Sequence, residues 1–187
     1  MRSRPRLSAF RRAAFCLAFG IGTSAVATRE AAAYERQWHV GLDGGYALAA
    51  FPDANRSGFD GGLHATYGLT DAFNLRAHAD VSGFALGDPT TRRLFTSGGL
   101  GAEYVIDILR WVPYVGVTVG PSVMLREGAP SVAHLGVEIP AGLGFQLTRS
   151  WTIGAEVRYR LLLLGDDAVS PSNGFVGLAR AEFGWGS

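Results

Sequence analysis

The chain contains no lysine; all 17 basic residues are arginine. A soluble surface normally mixes lysine with glutamate, so this absence argues against an ordinary water-facing exterior. Cysteine is almost missing as well. The single one, Cys16, lies in an apolar run near the N-terminus. Beyond it the chain can form no disulfide, no thiolate metal site and no cysteine nucleophile. Long apolar runs are also lacking: after residue 33 none reaches the ~20 residues of a spanning helix. A basic charge balance is missing too. The formal net charge of +1 depends on Arg2, Arg4, Arg6, Arg11, Arg12 and Arg29. From Tyr34 onward 11 arginines face 15 aspartates and glutamates, a net of −4. No case for nucleic-acid binding survives that count.

What is present begins with an export signal. MRSRPRLSAFRR is a basic start, and AAFCLAFGIGTSAVA is an apolar run too short and too glycine-rich to span. Ala31, Ala32 and Ala33 then offer a small-residue cleavage site before Tyr34, with Ala25-Val26-Ala27 as an earlier one. The order charge, apolar, small is that of a secretory signal peptide, expected over 1–33. The barrel domain argued below is then expected over 34–187.

Alternation runs through the rest of the chain. In residues 151–160 Trp151, Ile153, Ala155, Val157 and Tyr159 alternate with Thr152, Gly154, Glu156, Arg158 and Arg160. Strict period two means a strand with two unlike faces. The same pattern predicts strands at 36–48, 59–69, 73–84, 94–106, 111–124, 133–147 and 174–185. Pro113 predicts a late start or an unpaired stretch in the fifth strand, and Pro140 a bulge or missing bond in the sixth. The connections alternate too. Those near 70–72, 107–110 and 148–150 are short. Those near 49–58, 85–93, 125–131 and 164–173 are longer and rich in Pro, Asp, Asn, Ser and Gly. Short turns on one rim and long loops on the other describe an all-β, eight-stranded, antiparallel up-and-down transmembrane barrel.

Aromatic placement sets which face points outward. Tyr67 and Phe73, Tyr104 and Trp111, and Phe145 and Trp151 bracket the short turns, and Trp38 and Trp185 fall at the same level. A looser ring of Tyr46, Phe59, Tyr159 and Phe175 lies toward the long loops, with Phe84 and Phe95 at that level but out of phase. Two aromatic girdles around a Leu, Val, Ile and Ala band are a lipid-facing signature. The opposite face combines glycine with charge, as a narrow lumen requires.

GLTDAFNLRAHAD (68–80), GGLGAEYVIDILRWVPYVGVTVG (98–120), GFQLTRSWTIGAEVRYR (144–160) and the final RAEFGWGS carry this pattern. On them the chain resembles the small outer-membrane β-barrel proteins of Gram-negative bacteria, of the OmpA, OmpX and OmpW type. The resemblance implies residence in the cell outer membrane, contact with its lipids, and delivery to the assembly machinery through the C-terminal strand. Family members usually end on an aromatic residue; here Trp185 is followed by Gly186 and Ser187. No appended peptidoglycan-binding domain is expected after the barrel.

The inward face is expected to hold a charge network of Asp43, Asp60, Arg76, Asp80, Glu103, Glu138, Glu156, Arg158, Arg160, Arg180 and Glu182. Buried charge must be paired, so an ion-pair ladder filling the lumen is the expectation. His39, His64, His78 and His134 all fall on that face. His64 and His78 sit near one another across a short turn, but polar filler explains them, and neither a metal nor a cofactor is expected. Ser82, His78 and Asp80 share one face of one strand, where they line up rather than converge, so no catalytic residues are assigned. GGLGAE (98–103) and GLDGG (41–45) lack the following helix of a phosphate-binding loop. The expected role is structural or interactive, through loops whose partner the sequence does not name. A narrow channel of the OmpW type is the alternative, and a lipid-modifying barrel enzyme stands third.

Overall fold

The computed structural model describes residues 36–52, 54–86, 88–106, 108, 110–125, 131–164 and 171–186. The signal peptide expected over 1–33 lies outside them. Eight strands follow one another: β1 (Trp38–Ala50), β2 (Asn55–Gly68), β3 (Phe73–Leu86), β4 (Asp88–Val105), β5 (Trp111–Leu125), β6 (Val132–Gln146), β7 (Trp151–Leu164) and β8 (Asn173–Trp185). Each pairs antiparallel with the next, and β8 returns to β1, so the barrel is closed. Closure removes every edge strand and satisfies the backbone without water.

The turns at the short-loop rim reuse one piece of chemistry. In LTDAF the Thr70 Oγ1 accepts from the backbone N–H groups of Ala72 and Phe73, and Leu69 N–H reaches the Phe73 carbonyl at 2.9 Å. In LTRSW the Thr148 Oγ1 accepts from Ser150 and Trp151, and Leu147 N–H reaches the Trp151 carbonyl at 2.9 Å. A threonine hydroxyl bonding forward to the backbone fixes both turns and hence the register of the strands they join.

Strand ends depart from expectation at the other rim. The connection expected over 49–58 shrinks, because β1 runs to Ala50 opposite Asn55. That expected over 85–93 is largely strand, with Ala85 opposite Arg92 and Leu86 opposite Asp88. The residues there, Asn55 to Ser57 and Asp88 to Arg92, offer no apolar side, so alternation ends while backbone pairing continues. Pro113 does not delay its strand: β5 starts at Trp111 and Pro113 stands opposite Leu143. So close to the strand start, a missing N–H costs little. At Pro140, whose side chain is fully buried, the β5–β6 register skips from Val115–Ala141 to Thr118–Glu138.

Glycine lets the strands and the inward charges share a narrow interior. A Cβ on Gly101 would collide with the carbonyl oxygen of Val117, whereas one on Gly44 would meet nothing within 4 Å. Gly101→Ala is therefore expected to destabilise by about 1–3 kcal/mol, as overpacking does. Gly44→Ala should stay within about 0.5 kcal/mol of wild type. Urea unfolding of the two variants in lipid vesicles checks this, and similar losses from both would mean the interior is not the tight side.

Candidate functional site

Two surfaces of opposite character follow from the alternation. Outside, Leu42 is 63 % exposed, Val157 58 % and Leu100 72 %. Trp38, Phe73, Tyr104, Trp111, Trp151 and Trp185 are exposed at the short-turn rim, with Tyr67 and Phe145 half-buried beside them. Their rings pair across strands: Trp38 with Tyr67 and Trp111 with Phe145 at 4.8 Å, Phe73 with Tyr104 at 5.2 Å. Phe183 joins this rim between Trp151 and Trp185 at 5.3 and 6.0 Å. Phe183 is not among the girdle residues expected from the sequence, although its alternation with Arg180 and Glu182 puts it on the outer face. Toward the other rim Tyr159 meets Phe175 at 4.9 Å, and Tyr46 stands opposite Phe59.

Inside, Arg76, Arg158, Glu156 and His64 are among the most buried side chains. Glu156 on β7 is the centre. It accepts from Arg158 of its own strand (Nε 2.9 Å, Nη2 2.7 Å). From the neighbouring β8 it accepts from Arg180 (Nη1, 2.9 Å), and from further round the wall from Arg76 of β3 (Nη2, 3.2 Å) and the Tyr114 hydroxyl of β5 (2.7 Å). The chain of pairs continues from each arginine. Arg76 reaches Glu103 at 3.2 Å, and Asn74 Nδ2 donates to the same carboxylate at 3.1 Å. Arg180 reaches Asp43 at 3.2 Å and also holds Glu182, while its Nη1 donates to the Tyr114 oxygen. Arg158 Nη1 reaches Asp80 at 2.7 Å and Glu138 at 3.3 Å. Arg160 donates to Glu138 at 2.7 Å and to Ser82 at 3.1 Å, lies 3.7 Å from Asp60, and stacks over the Phe95 ring. The seven carboxylates and four guanidiniums named from the sequence thus lie in one connected cluster, to which β5 adds Tyr114. Bidentate, charge-assisted bonds of this kind are the strong ones and fix geometry as well as energy.

The histidines divide. His64 and His78 are opposite one another across β2 and β3. His64 nevertheless turns to Asp43 (Nδ1, 2.8 Å) and Glu182 (Nε2, 2.9 Å), bridging three strands. His78 turns to Asp80 and Glu138 instead, with Nε2 3.5 and 3.3 Å from their oxygens. His39 and His134 are buried on the same face. Ser82 Oγ is engaged by Asp60 and Arg160, not by His78, so the Ser-His-Asp series on β3 lines up without converging.

Apolar side chains flank the charged layer at both ends. Toward the long-loop rim an apolar cluster of Ala47, Ala49, Phe51, Phe84, Phe95, Met124, Val176 and Leu178 packs against Leu162. Phe84 and Phe95, out of phase with the outer ring, belong to this inner cap. Phe51 enters it from the β1–β2 connection, edge-on to Phe84 at 5.5 Å, with Arg56 and Arg93 over its ring. At the turn rim Val105 and Val112 pack with Tyr114. Among the described residues the interior holds cavities of about 20 Å³ beside Tyr114 and Glu103 and about 10 Å³ beside Phe95 and Arg160.

No protein-family profile and no curated protein matches the chain. Solved structures do. The neisserial surface protein A is 21% identical with a TM-score of 0.61, over 79% of this chain and 95% of that one. The N-terminal barrel domain of Pseudomonas aeruginosa OprF is 16% identical with a TM-score of 0.55, over 81% and 98%. Ail, the attachment invasion locus protein of Yersinia pestis, is 13% identical with a TM-score of 0.54, over 81% and 99%. The fold is that of the small eight-stranded outer-membrane barrels.

Proposed function

We propose that this chain is an integral protein of the Gram-negative outer membrane, exported by its first 33 residues, whose lumen is a charge plug rather than a passage. It performs no catalysis and acts as a wall and as a platform for contacts made by its longer connections. One observation carries the reading: the apolar side chains are outside and the ion pairs inside, the inverse of a water-soluble barrel. An exposed apolar surface on this scale is stable only against lipid or protein. With an even strand number both chain ends and the three short turns face the periplasm, and the longer connections face outward. The last strand presents its alternating aromatic face to the assembly machinery. The attachment and invasion for which Ail is named are contacts of the kind such connections could make.

The small size of the interior cavities supports the plug over the channel reading. A water molecule needs a cavity of roughly 10–15 Å³. The two interior cavities, about 20 and about 10 Å³, hold one or so each and lie at opposite ends of the charged layer. The purified protein in a planar bilayer is therefore expected to show no steady conductance above the bare membrane. A large, stable open channel would overturn the plug and put a narrow conduit of the OmpW type in its place.

A further inference from the structure

We propose that His78, Asp80 and Glu138 form a binding site for one divalent transition-metal ion, of the zinc, cobalt or nickel class, inside the lumen. It rests on the closed, charge-filled lumen proposed above.

The three side chains come from two strands, β3 and β6, on opposite parts of the wall, yet each brings one ligand atom within 4.8 Å of the others. The separations of His78 Nε2 from Asp80 and Glu138, 3.5 and 3.3 Å, are long for hydrogen bonds. They fit ligands around one ion: tetrahedral zinc with bonds of about 2.0–2.2 Å sets its ligands about 3.3–3.5 Å apart. His78 is only 8 % exposed, and neither of its ring nitrogens has a hydrogen-bond partner; nor does the buried Asp80 Oδ1. Buried polar atoms without partners are uncommon and call for an ion or a water. One imidazole nitrogen with two carboxylate oxygens suits zinc and its neighbours better than magnesium or calcium. Charge agrees, since the cluster described above sets seven carboxylates against four guanidiniums.

Arg158 is the competitor. Its Nη1 lies 2.7 Å from Asp80 Oδ2 and 3.3 Å from Glu138 Oε2. The other edge of the guanidinium, Nε and Nη2, is held by Glu156 at 2.9 and 2.7 Å. That edge can keep its grip while Nη1 yields, and Asp80 Oδ1 offers a second oxygen without disturbing the first. The ligand set joins one histidine to an acid of its own strand, Asp80, and to Glu138 of β6, far away in the chain.

The test refolds the chain into detergent micelles with Co²⁺ present, so that the ion enters before the barrel closes, then removes free metal. One Co²⁺ per chain with the visible absorption of a four-coordinate ion is expected. His78→Gln and Glu138→Gln should each weaken retention by more than the roughly 10–100-fold that an outer-shell change costs. His134→Ala, on β6 but away from the trio, should retain the ion. Cobalt absent from the folded wild type, or retained equally by His78→Gln, overturns the site. If the variants do not fold, the labelled wild type decides: paramagnetic shifts must centre on residues 78, 80 and 138, and a centre elsewhere overturns it. Conductance reports on the plug and cobalt content on the site, so either can fail without the other.

Discussion

Glu156→Ala is expected to destabilise the barrel by about 3–5 kcal/mol, the cost of stranding buried charges. Among the described residues Glu156 is the carboxylate that gathers three arginines within 3 Å. Arg76, Arg158, Arg180 and the Tyr114 hydroxyl all converge on it. Its removal leaves three guanidiniums close together in a low-dielectric space with one acceptor fewer. Arg158→Ala should cost less, because Glu156 keeps Arg76 and Arg180 while Glu138 keeps Arg160. Equilibrium unfolding in urea from lipid vesicles measures both. A Glu156→Ala barrel as stable as wild type would mean that the cluster fills space without holding the wall together.

Charge on the outer face should act through depth. Leu42 is 63 % exposed and stands on β1 midway between Trp38 and Tyr46 of the two aromatic rings. Leu42→Arg places a guanidinium near the bilayer midplane and is expected to cost about 2–4 kcal/mol. Leu147→Arg, at the short turn after β6, should cost about 0–1 kcal/mol, since an interfacial arginine reaches water and headgroups. The difference between the two is the measurement, made by the same unfolding assay in vesicles. Equal cost at both depths would sink the membrane reading of the exposed belt.

Most of the architecture was legible because a barrel wall obeys one rule, period two, along its whole length. Trp151 to Tyr159 against Thr152 to Arg160 reads without ambiguity, and so does Trp38 to Leu48. The rule fails where the residues themselves offer no apolar side. At Asp88 to Arg93 and at Asn55 to Gly58 the chain is strand without an apolar side, so nothing in the residue pattern separates strand from loop. Leu161 to Leu164 fails in the other way, as four leucines with no alternation that still continue β7. Phe84 and Phe95 looked like misplaced members of the outer ring. Their phase was the signal, since it put them inside, where they cap the charges.

The inward charges could be named but not connected. Which acid meets which arginine depends on the stagger of the wall, which brings Arg76 of β3 across to Glu156 of β7. No spacing along the chain encodes that meeting. Tyr114 alternates with Val115 and Val117 and so falls on the inward face of β5, but only the folded lumen shows it completing the hub from the one strand without an inward charge there.

Pairing of Trp38 with Trp185 and of Ala50 with Asn173 has a consequence for the order of events in folding. Every other ladder joins strands adjacent in sequence, and each can zip from its own turn. The β1–β8 seam joins the two most distant strands, so its loop-closure entropy must be met before any contact across it repays the cost. Side chains reinforce the same seam, with Arg180 reaching Asp43 and His64 lying between Asp43 and Glu182. These pairs cannot form in a half-made sheet. Productive folding thus waits for the final strand, and a chain interrupted before Arg180 is left as an open ribbon with two sticky edges.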